Sequence, residues 1–427
     1  MNEEVWKIHV DVNNFYPSCH VSVNPALRGK AVAVLSNNDG NVISRSVAAK
    51  AMGIPMGAVF HEIKHLVTSG KLIVFSSKYQ LYGDFSTRVM NILRRFIPAV
   101  ELYSIDEGFG EIKAELKEVI ELARKVKDTI FRWLRLHVSI GIAKTKSLAK
   151  VATYIAKRRE EYDGVFALGE TDQTNDVLRE IKVGDLWGIG YSGEKKLNSI
   201  GVENAFQLIG LPDGWIQKNL TVQGLRLAYE LRGEVCKPLQ LEIKPKKAIM
   251  VAPSFGRVVT DLETMTKALK RHVIKAGEKL RHQHSKAALM TVFINTNRFA
   301  KHKPQYCNSL TFSLPFATNE NEVLFRCAAS VLGHLYTPGY DYHKVGVMLS
   351  GLSTDTSQQL KLFVETPDPR RSRLEKAFDR LRLKFGRDLV FYADRIPVKE
   401  PEPDWLTKQQ YKSEAPTTNW KEILKAA

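Results

Sequence analysis

Val5-Trp6-Lys7-Ile8-His9-Val10 is an apolar run that ends in an acid, Asp11, and Val12-Asn13-Asn14-Phe15-Tyr16 follows it. A second run, Val100-Glu101-Leu102-Tyr103-Ser104-Ile105, ends in Asp106 and Glu107. Alternating apolar residues predict strands with one buried face. An acid at the end of such a strand is held rigidly at the rim of a sheet. Two rims brought together make a carboxylate cluster able to hold divalent metal. Taken alone, each acid reads more plainly: Asp106-Glu107 opens a turn and Asp11 caps one. The surrounding motifs decide between the two readings.

The 427 residues exceed one ordinary core and suggest about three domains. A hydrophobic content of 44% and a charged content of 26% are those of a globular chain. No apolar stretch is long enough for a bilayer span. Met1 to Lys7 lacks the apolar core of a signal peptide. Cys19, Cys236, Cys307 and Cys327 are scattered with no C-x-x-C pair, which argues against a zinc site or a disulfide framework. The expectation is a cytoplasmic protein with no membrane partner.

The net charge of +17 is concentrated. Lys244 to Lys303 holds 14 Lys and Arg against 3 Asp and Glu. A basic segment on a folded domain predicts a polyanion partner, nucleic acid before a merely solvated surface.

To about residue 168 the chain reads as α/β. Strands are expected at Ala31–Leu35, Leu72–Phe75 and Val138–Ile142, and a helix at Ser147–Lys157. A Gly-punctuated helical region follows, then a polar connector with Pro238 and Pro245. The basic segment reads as α+β: strands at Ala248–Val251, Leu289–Asn295, Ser309–Leu314 and Lys344–Leu349, and helices near Met265–Gln283 and Glu322–Leu335. After Gly351 the chain turns polar, with a basic amphipathic stretch at Arg370–Arg387.

Asp11 opens D-V-N-N-F-Y, the second acids lie in Y-S-I-D-E-G-F, and Ala156-Lys157 closes a helix about fifty residues on. Ser36–Ser46 reads S-N-N-D-G-N-V-I-S-R-S and Phe75–Tyr82 reads F-S-S-K-Y-Q-L-Y. In this order and spacing the motifs resemble the Y-family translesion DNA polymerases. They are most similar to the UmuC-type catalytic subunits of bacterial DNA polymerase V and their plasmid-borne relatives. The resemblance extends to at least residue 363. It implies a multidomain right-hand polymerase of α/β and α+β parts: palm and fingers at 1–168, with fingers at about 25–78, a helix-hairpin-helix thumb at 169–235, a linker at 236–244, a little finger domain at 245–352 and a tail at 353–427.

The same resemblance implies roles by position. Asp11 and Asp106 match the metal-bridging aspartates, with the Val12 carbonyl completing one shell. Glu107 matches the acid beside the primer 3′-hydroxyl. Tyr16, next to Phe15, matches the steric gate that leaves no room for a 2′-hydroxyl. Lys157 matches the lysine that contacts the triphosphate. Many relatives carry Tyr and Arg in the fingers where this chain has Val47 and Lys50. Lys50 keeps the charge but loses the bidentate fork, and Arg45 is the candidate replacement guanidinium.

Leu186-Trp187-Gly188-Ile189-Gly190 is similar to a helix-hairpin-helix turn. Backbone N–H groups at Gly188 and Gly190 would meet DNA phosphate without reading sequence. In the basic segment Lys246, Lys247, Arg257, Arg281 and Arg298 are the candidate DNA contacts. His272, His282 and His284 are expected on the surface beside DNA rather than as zinc ligands. Gln359-Leu360-Lys361-Leu362-Phe363 resembles the sliding-clamp peptide of bacterial polymerases, with Gln359, Leu360, Leu362 and Phe363 as its anchors. Trp405 and Trp420 lie in the polar tail, either as partner anchors or folded back.

The expected activity is template-directed, low-fidelity DNA synthesis past damaged bases, as in SOS mutagenesis. Its expected cofactor is two Mg2+ ions, or Mn2+. Expected partners are primer-template DNA, deoxynucleoside triphosphates, the sliding clamp, a UmuD′-like accessory dimer and a recombinase filament. A non-catalytic polymerase-like protein that binds DNA or the clamp is the alternative, and the presence of all three acids argues against it. A nucleotide cyclase could present similar acids but has no use for the basic segment and hairpin.

Overall fold

The computed structural model describes residues 3–242, 244–354, 369–385, 403–414, 416–419 and 422. The chain forms two compact units. The first takes Met1–Ser36, Gly40–Ile243 and Tyr411–Ala427; the second takes Asn37–Asp39 and Lys244–Gln410. No described helix is long and apolar enough to cross a membrane.

The main sheet of the first unit runs in the order Ala99–Leu102, Glu107–Ala114, Glu4–Val12, Val138–Ala143, Val165–Ala167. All neighbours are antiparallel except the last pair. Glu4–Val12 is therefore central, and it is covered on both faces. Trp6, Ile8, Val10 and Val12 enter the core with the helices Tyr79–Phe96 and Leu116–Leu134. Lys7 and His9 alternate to the other face, yet they too are buried. The expectation of one buried face is thus corrected: the helix Lys146–Ala156 covers the polar side. Gly141, opposite His9 in register, sets how closely that helix lies. A Cβ there would come within 2.1 Å of the Ala149 carbonyl oxygen.

The segment expected to form the fingers has its own sheet, ordered Val42–Arg45, Val32–Leu35, Ile73–Ser76. A small core of Ala33, Leu35, Ala49, Ile54, Phe60, Leu72 and Val74 supports it. Tyr411 packs against this core and meets the Phe60 ring edge-on. The Ser76 N–H donates to the Tyr411 carbonyl at 2.8 Å. The stretch expected to form the thumb comprises the helices Thr171–Glu180, Tyr191–Asn198, Ala205–Ile209 and Asp213–Leu231, and it shares a core with Lys146–Ala156.

The expected connector is in part fixed to the first unit. Buried Glu230 accepts the backbone N–H groups of Ser147, Cys236 and Lys237. Buried Glu101 pairs with Lys146 and accepts the Gln240 N–H.

In the second unit the sheet order is Ser254–Val259, Tyr342–Thr354, Ser285–Thr296, Cys307–Thr318, with Ile249–Val251 also paired to Tyr342–Thr354. The helices Leu262–His282 and Asn321–Leu335 pack on it. Met265, Leu269, Val273, Ala276 and Leu280 recur at helical spacing and are buried. The Asp261 side chain accepts the Thr264 N–H and caps the first helix. His272 is also on the buried side, which corrects its expected surface position; His282 and His284 are exposed.

The polar tail is partly folded back. A helix, Pro369–Phe385, docks through Arg281: its guanidinium bonds both Asp379 oxygens at 2.6 and 3.0 Å and lies 3.4 Å from Glu375. Trp405 is buried against Phe255, and its carbonyl accepts the Gly256 N–H at 2.9 Å. Trp405 therefore folds back rather than waiting as a free anchor. Trp420 and the clamp-like Gln359–Phe363 lie outside the described residues.

Candidate active site

Register carries the acids together. Asp11 stands directly opposite Glu107 on the neighbouring strand, and the Val12 N–H donates to the Asp106 carbonyl at 3.0 Å. The second run is not a single strand into its acids. The strand ends at Leu102, residues 103–106 turn, and Glu107 begins the return strand. Ser104 holds that turn: its hydroxyl donates to Asp106 Oδ1 at 2.7 Å and accepts the Glu107 N–H at 3.1 Å. On the other side, D-V-N-N-F-Y makes a turn into the helix Phe15–Val23. Asn14 caps it in the left-handed conformation (φ 50), which asparagine tolerates. The Asn13 N–H donates to the His137 carbonyl, and its side chain accepts from Ser139.

Three cationic or polar groups face the acids. Lys157, at the end of the helix Lys146–Ala156, reaches Asp11 Oδ1 at 2.5 Å. Two turns earlier Lys150 reaches Glu107 Oε1 at 2.8 Å. His9, two residues before Asp11 on the same strand face, brings Nε2 to 3.5 Å from Glu107, long for a hydrogen bond, while Nδ1 is 2.8 Å from the Thr153 hydroxyl. Burial lowers the His9 pKa and keeps the ring neutral at pH 7. Burial alone would raise the Glu107 carboxyl. Contacts with His9 and Lys150 and the Lys150 charge outweigh it and hold it down to about 2. Asp106 is pushed up, first by burial and then by the charges of Asp11 and Glu107.

That mutual repulsion is the property a divalent cation would relieve, and three carboxylates at one rim are the hard oxygen donors Mg2+ prefers. Among the described residues no three acids, histidines or cysteines are drawn into a ready cage. Lys157 and Lys150 hold two of the acids instead. The donors therefore suit a hard divalent cation in kind, while in this structure two of them are taken by lysines.

Tyr16 is half-buried, its ring stacked on Tyr82 at 4.2 Å and edge-on to Tyr79 at 6.3 Å. Phe15 is a core residue, only 3% exposed. Its ring packs against Tyr16 and Tyr82, with centroids 5.7 and 6.4 Å away. A cavity of about 990 Å3 is lined by Asn13, Asn14, Pro17, Ser46, Lys50 and Lys157 among others. Burial lowers the Lys50 pKa, and the charges of Lys157 and Arg45 add to it. Arg45 donates to the Ile54 carbonyl at 2.5 Å, so part of its fork is already engaged.

In the thumb region Gly188 has φ 97, which only glycine adopts without strain, and Gly190 begins the helix Tyr191–Asn198. Both are exposed. In the second unit the exposed DNA candidates are Lys246, Lys247, Arg298 and Arg257, the last paired with Asp404 at 2.6 Å. Arg281 is 8% exposed and committed to Asp379, which removes it from the set. Lys150, His9, Ser104 and Trp187 escaped the sequence reading. The seven-residue spacing of Lys150 from Lys157, two helical turns on one face, was the available signal.

Residues 10–154 match the impB/mucB/samB family, and residues 246–362 match its C-terminal domain. Residues 372–426 match a domain of unknown function, DUF4113. Protein UmuC of Salmonella typhimurium is 35% identical over 97% of this chain and 98% of its own length. Protein ImpB of Salmonella typhimurium is 36% identical over 97% of each. DNA polymerase IV 1 of Bacillus subtilis is 26% identical over 90% of this chain and 91% of its own. In fold the chain is similar to a Y-family DNA polymerase chimera, Dbh-Dpo4(243-245)-Dbh. The TM-score is 0.65 at 21% identity, over 82% of this chain and 99% of that one. Family models over both halves of the chain, and relatives such as UmuC and ImpB that align from end to end, place this chain in the impB/mucB/samB family, with the fold of a Y-family DNA polymerase.

Proposed function

We propose that this chain extends a DNA primer past damaged template bases, using Asp11, Asp106 and Glu107 as its chemical centre. The observation that carries the assignment is the cross-strand pairing of Asp11 with Glu107 beside the Asp106 turn. The primer 3′-hydroxyl gives up its proton to solvent as its oxygen forms a bond to the α-phosphorus of a deoxynucleoside triphosphate, the bond from that phosphorus to the bridging oxygen breaks, and pyrophosphate leaves with the electron pair. The protein contributes position and charge neutralisation. Two Mg2+ ions, or Mn2+, held by Asp11, the Val12 carbonyl, Asp106 and Glu107 would screen the phosphates and acidify the primer hydroxyl.

Lys157 and Lys50 meet the triphosphate, with Arg45 behind them. The crowding of their positive charges favours an anion there. Tyr16, braced by Tyr82 and Tyr79, sits under the incoming sugar. Gly188 and Gly190 receive primer phosphates, and Lys246, Lys247, Arg257 and Arg298 hold the duplex. The parts are palm and fingers to residue 168, thumb at 169–235 and little finger at 245–352. The sliding clamp, taken by residues 359–363, a UmuD′-like dimer and a recombinase filament are the partners, and the cytoplasm is the compartment.

Primer extension on an abasic template tests the centre. Asp106→Ala abolishes synthesis and leaves salt-sensitive DNA binding nearly intact. Full synthesis by that variant would remove the assignment, and lost binding with lost synthesis would point to a folding role.

A further inference from the structure

Trp187 sits in the thumb turn, immediately before Gly188, and no role in the chemistry described above requires an indole there. Its Nε1–H donates to the Tyr103 hydroxyl at 2.9 Å. The two rings meet edge-on at 5.5 Å, and Trp187 lies 6.0 Å from the buried ring of Phe109. Tyr103 opens the turn whose next residue, Ser104, fixes both Asp106 and Glu107. The Tyr103 N–H itself donates to the Glu107 carbonyl at 3.2 Å.

A second route reaches the same acid. The Lys150 ammonium that holds Glu107 lies 4.7 Å from the Tyr103 ring and 5.3 Å from the Trp187 ring. Trp187 also carries Lys237, whose ammonium is 3.9 Å from its ring and whose backbone N–H is fixed by buried Glu230. One half-buried side chain thus touches the thumb turn, the acid turn, the cation on Glu107 and the connector.

We propose that Trp187 is a positioning residue that couples seating of the primer strand on the thumb turn to the placement of Glu107, through its hydrogen bond to Tyr103. The reasoning is geometric. Any shift of Gly188 on phosphate binding moves the adjacent indole, and the indole is bonded to the residue that begins the acid turn. The inference rests on the polymerase reading of the acids.

The test is a double-mutant cycle on the full chain with Trp187→Phe and Tyr103→Phe. Each removes one end of the bond and keeps an aromatic ring at the packed position. Burst-phase nucleotide insertion is measured at saturating primer-template, with DNA affinity, nucleotide KM and melting temperature measured beside it. Asp106→Ala is the control. We expect each single variant to insert about three- to tenfold more slowly, as the loss of one ordinary hydrogen bond implies. The double variant should be no slower than the slower single. DNA affinity, nucleotide KM and melting temperature should stay within twofold or a few degrees of the parent.

Multiplying losses in the double variant, wild-type rates in both singles, or a loss confined to DNA affinity would each overturn the coupling. If Asp106→Ala still synthesises DNA, the reading of the acids has failed instead. Should one Phe variant melt early, the other still breaks the same bond and decides the question.

Discussion

Replacing Arg281 separates two accounts of one residue. By sequence it belongs to a basic stripe that would grip DNA. In the structure its guanidinium is buried, bonds Asp379 twice, approaches Glu375 and donates to the Asn319 carbonyl at 2.8 Å. Arg281→Ala leaves two carboxylates facing a vacated site. Removing one member of a buried, bidentate pair costs about 3–5 kcal/mol. Asp379 keeps 23% of its side-chain surface in water, which places the expectation near the lower figure, about 3 kcal/mol. That corresponds to a rise of about 150-fold in the local opening constant.

The cost falls on docking of the helix Pro369–Phe385, since among the described residues the apolar core of the second unit draws none from that helix. Native-state hydrogen exchange is therefore the assay. Amides of residues 369–385 should lose about two orders of magnitude of protection while those of Ser285–Thr296 keep theirs. The salt dependence of DNA binding should be unchanged. A salt slope reduced by about one, with protection of 369–385 intact, would show that the arginine contacts phosphate and that the buried cluster is wrong.

Two further outcomes follow from the site. Tyr16→Ala should admit ribonucleotides, raising their relative insertion efficiency by at least tenfold in single-nucleotide assays; unchanged sugar discrimination would refute the gate. The Glu107 carboxyl, held down to about 2 from 4.5, contributes stability that is present above about pH 4.5 and is lost as pH falls towards 2. After allowance for its partial exposure, Glu107→Gln should lower the unfolding free energy by about 1–2 kcal/mol at pH 7 in denaturant titrations. The gap should narrow from about pH 4.5 downwards and close only near pH 2. An equal gap at both pH values would exclude the charge as its source.

The local pattern was enough for the acids and for most elements. The strand into Asp11, the helix into Lys157 and the helices near Met265–Gln283 and Glu322–Leu335 stand where periodicity put them, because burial of a stripe or a face is written into residue spacing. The family motifs carried the right-hand architecture. What spacing could not convey is which second surface covers a face. His9 and Lys7 looked like the exposed side of a strand until Gly141 let a helix lie against them. His272 and Arg281 looked like surface cations because the partners that bury them come from distant stretches. For Arg281 these are Glu375 and Asp379, almost one hundred residues on.

By itself the sequence determined the kind of chemistry: three acids in family order, a tyrosine five residues beyond the first, and a lysine at a helix end. Only the tertiary structure decided which cation holds which acid, that Phe15 packs while Tyr16 stays half-open, and that Trp187 in the thumb reaches the acid turn. The physical reason is range. Periodicity and motif report on neighbours along the chain. Hydrogen bonds such as Trp187 to Tyr103, and pairs such as Lys157 with Asp11, depend on where the fold brings residues eighty or more positions apart within a few ångströms.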